Sequence, residues 1–361
     1  MPTAPRKTFA ATALATFALV FAGAPVAWGA AEPVGEGQTA LKLNASLYES
    51  LQRSGIRLVK LKPGKMRGRT ATMPASGGTL DAPKASAVVT HEGGFKLRGQ
   101  RREVVVRKLI LDIPAKQLRG QIGGRTLTIA SLPKIDGAPD GFGAKIAVHT
   151  LRLTRLAALA LNRALGLASV FAGGRSLGSI SSVVQPEAVT IARGMIALGG
   201  EVSTFARLES LGVDIGLWGS SSRFGERGSP PIFLFEVASG KLGPDASTGL
   251  VTGEGGLTLQ RPEPDQDLLL LTPIVDLGSG VLSAGLSTLS GANLAYGPIA
   301  TLDTSAATTR IKGASRMELT DVKAIATQFL ADRLNATFDP PTPFTEGETL
   351  GELDLVLYTG S

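Results

Sequence analysis

The chain has 361 residues, 37 Lys and Arg against 30 Asp and Glu, and a formal charge of +7. It contains no cysteine and only two histidines, which excludes disulfide cross-links and a zinc site of the usual nitrogen and sulfur ligands. The charge is unevenly placed: residues 30–199 hold 25 basic and 10 acidic residues, whereas residues 200–361 hold 10 and 20. Such a field acts on association rather than on fold.

Residues 1–29 read as a secretory signal peptide. Arg6 and Lys7 precede an apolar run from Phe9 to Phe21, and small residues follow at Ala27, Gly29 and Ala30. After cleavage no later stretch reads as a transmembrane span, because the most apolar one, LAALALNRALGLASVF, is interrupted by Asn162 and Arg163. The expected location is secreted, extracellular or in the cell envelope, and about 330 remaining residues are enough for two cores.

The remainder is written twice. LDAPKASAVVTHEGGFKLR, starting at Leu80, aligns without a gap to LGPDASTGLVTGEGGLTLQ, starting at Leu242. Further matches keep the same order, and FAGGRSLG (171–178) faces FTEGETLG (344–351). A period near 160 residues means a duplicated domain rather than a solenoid. The expected copies are a basic one over 39–199 and an acidic one over 200–361.

Within each copy, alternating segments such as VVVRKLILDI and AKIAVHTLRL, separated by Gly, Pro and Asp, read as strands. LYESLQRSG places Leu47, Tyr48 and Leu51 on one helical face, and LTRLAALALNRALG reads as a second helix stopped by glycine. The expected fold class is mainly β: two tandem β-sandwich-like domains, each of about eight to eleven strands with about two peripheral helices.

Few residues suggest chemistry. Gly174–Gly178 fits G-x-S-x-G around Ser176, but a helix precedes it, a strand follows, and its twin carries no serine, so a glycine-framed turn accounts for both and no enzyme is expected. His149 lies in a strand-like run without a partner motif and reads as structural. The basic cluster Lys60, Lys62, Lys65, Arg67 and Arg69 suits an anionic envelope polymer or lipid headgroups; alternatively it is a solvated face, or docks the acidic copy intramolecularly. Nucleic acid is not expected, since stacking aromatics are scarce and the chain is exported.

The segments FLFEVASGKLGPDASTGLVTGEGGLTL and SGGTLDAPKASAVVTHEGGFKL resemble the HtaA-type domain of secreted haem-uptake proteins of actinobacteria. The resemblance covers both copies and implies haem as the candidate ligand. It implies a tyrosine ligand after a Trp-Gly motif, with a histidine near a glycine pair. Leu217-Trp218-Gly219 and Phe224 look like the start of that motif in the second copy, but no tyrosine follows near Arg227. His91 looks like the family histidine in the first copy, where the second has Gly253. His91 is therefore the candidate haem-binding residue; the other reading makes it a structural residue where a glycine-rich strand begins. The expected activity is non-enzymatic binding in the envelope, with a structural or adhesive envelope protein as the alternative.

Overall fold

The computed structural model describes residues 31–225, 231–263, 265–291 and 295–360. The expected signal segment, 1–29, lies outside them. Among the described residues there are 23 strands and four helices, none of the helices long and apolar enough to cross a membrane.

The first sheet is built from β1 (Glu32–Leu43), β2 (Arg57–Leu61), β3 (Lys65–Arg67), β4 (Thr70–Asp81), β5 (Ser86–His91), β6 (Gly94–Arg98), β7 (Glu103–Asp112), β8 (Gln117–Ile122), β9 (Arg125–Asp140), β10 (Gly143–Leu153) and β11 (Ser176–Pro186). Its order is β2-β6-β7-β5-β4-β1-β11-β10-β9-β8, and β8 also pairs with β7. Eight strands therefore close into a ring, with β2 and β6 as a flap extending from β7 and β3 attached to β4. A ring of this size is just wide enough for side chains to fill. The alternating burial along β5 and β8 follows directly from the period of two in a strand.

The second sheet repeats this plan: β12 (Val189–Gly200), β13 (Asp214–Trp218), β14 (Ser222–Phe224), β15 (Ile232–Leu242), β16 (Gly249–Gly253), β17 (Gly256–Arg261), β18 (Gln266–Asp276), β19 (Val281–Ser287), β20 (Ala295–Asp303), β21 (Thr308–Lys312), β22 (Arg316–Ala326) and β23 (Thr349–Thr359). Its order, β13-β17-β18-β16-β15-β12-β23-β22-β20-β19, with a β18–β19 closure, matches the first strand for strand. The long β9 corresponds to β20 and β21 together.

The mainly β class with two tandem domains is thus what the chain forms, its sandwich-like layers joined into closed rings. The division between the copies differs from the expected one at 199/200. Val189–Gly200 pairs with β15 and β23, so it opens the second sheet just as β1 opens the first. The change of sheet falls between Pro186 and Val189. The two opening strands, EPVGEGQTALKL and VTIARGMIALGG, share three of twelve residues, Gly37/Gly194, Ala40/Ala197 and Leu41/Leu198, and pairing establishes them as equivalents.

Each barrel carries two helices: α1 (Ala45–Arg53) and α2 (Arg155–Leu165) in the first, α3 (Val202–Ser210) and α4 (Gln328–Phe338) in the second. Leu47 and Leu51 of α1 are buried and Tyr48 is partly so. Thr154 caps α2 by accepting from the Ala157 N–H at 3.1 Å, and Thr327 caps α4 through the Leu330 N–H. The polar residue that interrupts the apolar run has a structural task. Asn162 donates to the Phe171 carbonyl at 2.8 Å and accepts from its N–H at 3.1 Å. Asn335 does the same to Phe344 at 2.9 and 2.7 Å. In both copies this clamp returns the post-helix loop to the barrel and buries its phenylalanine in the core.

Candidate functional site

His91 is the last residue of β5 and is 5% exposed. Its Nδ1 lies 3.0 Å from the Leu109 carbonyl, which only accepts, so this nitrogen carries the proton and Nε2 is the acceptor. Thr39 Oγ1, 2.7 Å from Nε2, therefore donates to it, and Ser182 Oγ, 2.7 Å further on, donates to Thr39. Thr39 and Ser182 are each 1% exposed. The result is one directed chain of hydrogen bonds, Ser182 to Thr39 to His91 to Leu109, inside the barrel wall. Burial holds the His91 pKa below its ordinary value, with the Leu109 carbonyl partly opposing that shift.

The glycines after it explain the motif. Gly93, at φ +77, sits so close under the β2–β3 turn that a Cβ would lie 2.7 Å from the Leu61 carbonyl oxygen. Gly255 at φ +81 is tucked in the same way beneath Trp218 and Ser221. The repeated glycine pair thus seats a hairpin, and the histidine preceding it points into the wall.

The second copy replaces the polar chain as a set. Register puts Ile196 opposite Leu355 where the first copy has Thr39 opposite Ser182, and Gly253 opposite Val237 where the first has His91 opposite Ala75. A Cβ on Gly253 would meet Pro273, Ile196 and Phe235 at 2.9 to 3.3 Å, so apolar atoms already fill the imidazole's volume.

The small apolar cavity of the first barrel is not lined by His91. This cavity of ≈ 20 Å³, lined by apolar side chains including Leu43, Leu47, Phe95, Val106, Leu161 and Phe171, is about the size of one water. With both ring nitrogens bonded, His91 offers no lone pair to an iron unless the bond from Thr39 breaks. The residues around His91 therefore do not fit a haem.

The second copy presents a different surface. Leu217, Trp218 and Phe224, from β13 and β14, are 41%, 45% and 51% exposed. Leu217 continues the core-facing row Leu257–Leu270–Leu286, so Trp218, one residue on, belongs to the outward row Trp218–Gly256–Leu271–Gly285–Tyr296. Tyr296 is 54% exposed, and its hydroxyl donates to the Thr272 carbonyl at 3.1 Å. Partial burial raises its pKa, which keeps it a phenol. Sequence reasoning passed over Tyr296 because it looked for a tyrosine shortly after Trp218, whereas antiparallel pairing brings one to the same face from β20.

The five basic candidates do not form one cluster. Lys65 and Arg67 point outward from β3, because Met66 between them packs on the core. Lys60 lies on the core-facing row with Phe95 and Val106, at the open edge of the sheet. Lys62 is in the turn, and Arg69 is half-buried against the Leu43 carbonyl at 3.3 Å. Ser176 opens β11 after a loop, which is the reverse of the strand-turn-helix order that a nucleophile elbow needs. His149, at a bulge in β10, bonds the Asp136 carboxylate at 2.5 Å on the surface. No group of three or more His, Cys, Asp or Glu that could hold a metal is present among the described residues.

No family model matches the chain and no curated protein matches it in sequence. Among solved structures it is similar to the C-terminal domain of HtaA from Corynebacterium glutamicum, at 14% identity over 48% of this chain and 99% of that one, with a TM-score of 0.38. It is also similar to the domain-swapped dimer of the H434A variant of that domain, at 15% identity over 43% of this chain and 89% of that one, with a TM-score of 0.31. At these identities and TM-scores the likeness says nothing of what this chain does.

Proposed function

We propose that the protein is an exported, non-enzymatic binding protein of the cell envelope that takes its ligand on a barrel surface, with haem as the candidate ligand. The signal-like segment 1–29 supports export. The observation that carries the reading is the pair of exposed aromatic residues Trp218 and Phe224 on the outer face of the second barrel, in positions where the first barrel has Leu61 and Arg67. A large aromatic surface left open to water on a hairpin seated by Gly255 suits a flat apolar ligand. Ferric haem accepts a phenolate ligand; Tyr296 is the exposed phenol on that face, and to ligate the iron it gives up its proton and its bond to the Thr272 carbonyl.

A haemin titration followed in the Soret region tests this. A saturable band is expected, weakened at least tenfold by Trp218→Ala, altered in position by Tyr296→Phe, and retained in His91→Ala. Loss with His91→Ala alone would return the site to the first barrel. The absence of any saturable band would remove haem as the ligand.

A further inference from the structure

The outer faces of the two barrels can be compared row by row, and they differ in one patch. On the first barrel the row Arg67–Thr70–Lys42–Ser179 lies beside the row Lys65–Thr72–Ala40–Ser181. Lys42, Lys65 and Arg67 are exposed, with the threonine hydroxyls between them and Ser179 beside Lys42. None of the three cations is in an ion pair with the described residues. Followed around the barrel, the second row meets no acid until Asp136.

On the second barrel the same positions read Phe224–Ile232–Gly199–Glu352 and Ser222–Leu234–Ala197–Asp354. Every cation is gone, two of the hydroxyls have become carboxylates, and two others have become aliphatic. The carboxylates crowd one another: burial, with Asp321 and Glu352 nearby, pushes the Asp354 carboxyl up to about 6. The shared fold therefore does not require cations at this place.

We infer that this face of the first barrel, centred on Lys42, Lys65 and Arg67 with Thr70 and Thr72 between them and Ser179 beside Lys42, binds a linear polyanion carrying repeated phosphate groups. Lys65 and Arg67 lie ~7 Å apart along one strand, and Lys42 is two strands and ~10 Å away, so the charges form a grid rather than a point. Hydroxyls between cations supply hydrogen bonds to phosphate oxygens that charge alone would not. The hairpin bearing two of the cations is held by Gly64 and Gly93 against the β6 strand, so little ordering is needed on binding. The patch lacks the large apolar side chains with which a protein inserts into a bilayer, which favours a polymer over a lipid surface. The contacts between barrels lie elsewhere, at hairpin tips and where Glu32 meets Thr190, and leave this patch open. The inference is independent of the haem reading, which concerns the other barrel.

The test measures binding of the full chain to fluorescently labelled long-chain inorganic polyphosphate by anisotropy, at low and moderate salt. The triple variant Lys42→Glu, Lys65→Glu, Arg67→Glu is compared with Arg125→Glu, Lys134→Glu, Arg152→Glu, which makes the same change in net charge at other exposed positions of this barrel. Saturable, salt-sensitive binding is expected, reduced more than tenfold in the first variant and less than threefold in the second. Equal losses in both would overturn the inference, because net charge alone would then explain binding. So would tighter binding to phosphatidylglycerol vesicles than to polyphosphate, or self-association of the chain abolished by the first variant, since each would assign the patch to another occupant. Circular dichroism of both variants separates loss of binding from loss of fold.

Discussion

Three buried polar side chains in the first barrel, Thr39, His91 and Ser182, correspond to Ile196, Gly253 and Leu355 in the second. The replacement works only as a set. Removing the imidazole alone takes the Nδ1–H donor from the buried Leu109 carbonyl and leaves the Thr39 hydroxyl with Ser182 as its remaining partner, at about 1–3 kcal/mol for a buried group left unsatisfied. His91→Ala is therefore expected to cost about 2–4 kcal/mol in denaturant unfolding. Thr39→Ile, His91→Gly and Ser182→Leu together should cost less than the sum of the three single changes, because the apolar set is self-consistent. The pH dependence has a definite sign. His91 has a folded pKa below 6.5, so as the pH falls through 6.5 the unfolded chain gains a proton that the folded chain refuses. Stability from this group is complete above pH 6.5 and declines as the pH falls toward the folded value. Unfolding midpoints for the wild type and His91→Ala should converge over that interval; parallel curves would show that His91 is not buried neutral.

At the level of elements, the helices are tied to their barrels by the asparagine clamps. Asn162 and Asn335 each satisfy both backbone groups of a phenylalanine nine residues on, across a loop that would otherwise carry them unpaired. Asn162→Ala is expected to destabilise by about 2–3 kcal/mol and to speed hydrogen exchange in α2 and the 167–175 loop. Asn162→Asp, which keeps the acceptor but loses the donor, should fall between wild type and alanine. If alanine has no effect on either readout, the loop is held by Phe171 packing alone.

At the scale of the whole molecule, the two copies exchange hairpin tips. Phe142, in the β9–β10 turn of the first barrel, is 2% exposed and belongs to the core of the second. Ala314, at the equivalent β21–β22 turn, is 3% exposed and joins the core of the first. Ile311 lies against Gly141, and the Glu32 carboxylate accepts from the Thr190 N–H at 3.0 Å. The joint is thus apolar at its centre, although the copies carry opposite charge, and the basic β2–β3 hairpin takes no part in it. Phe142→Ala is expected to cost about 3–5 kcal/mol and, in calorimetry, to lower the unfolding temperature of the second barrel although the change lies in the first. An effect confined to the first barrel would mean that the tip does not anchor its neighbour.

What the sequence determined by itself is the duplication, the mainly β class and the two helices of the first copy. These rest on local periodicity and on glycine-framed turns such as Gly93-Gly94 and Gly255-Gly256, which survive divergence because backbone close approach tolerates no side chain there. The boundary between copies, the closure of each sheet and the direction of every candidate residue were decided only by tertiary structure. Strand pairing links residues with no sequence proximity: it brings Tyr296 onto the face of Trp218, places Lys42 beside Lys65 and Arg67 while dividing them from Lys60 and Arg69, and turns His91 inward to Thr39. A one-residue change of register would reverse each of these facings. The repeat pattern could announce two barrels, but only the pairing could say which side of each wall a side chain occupies.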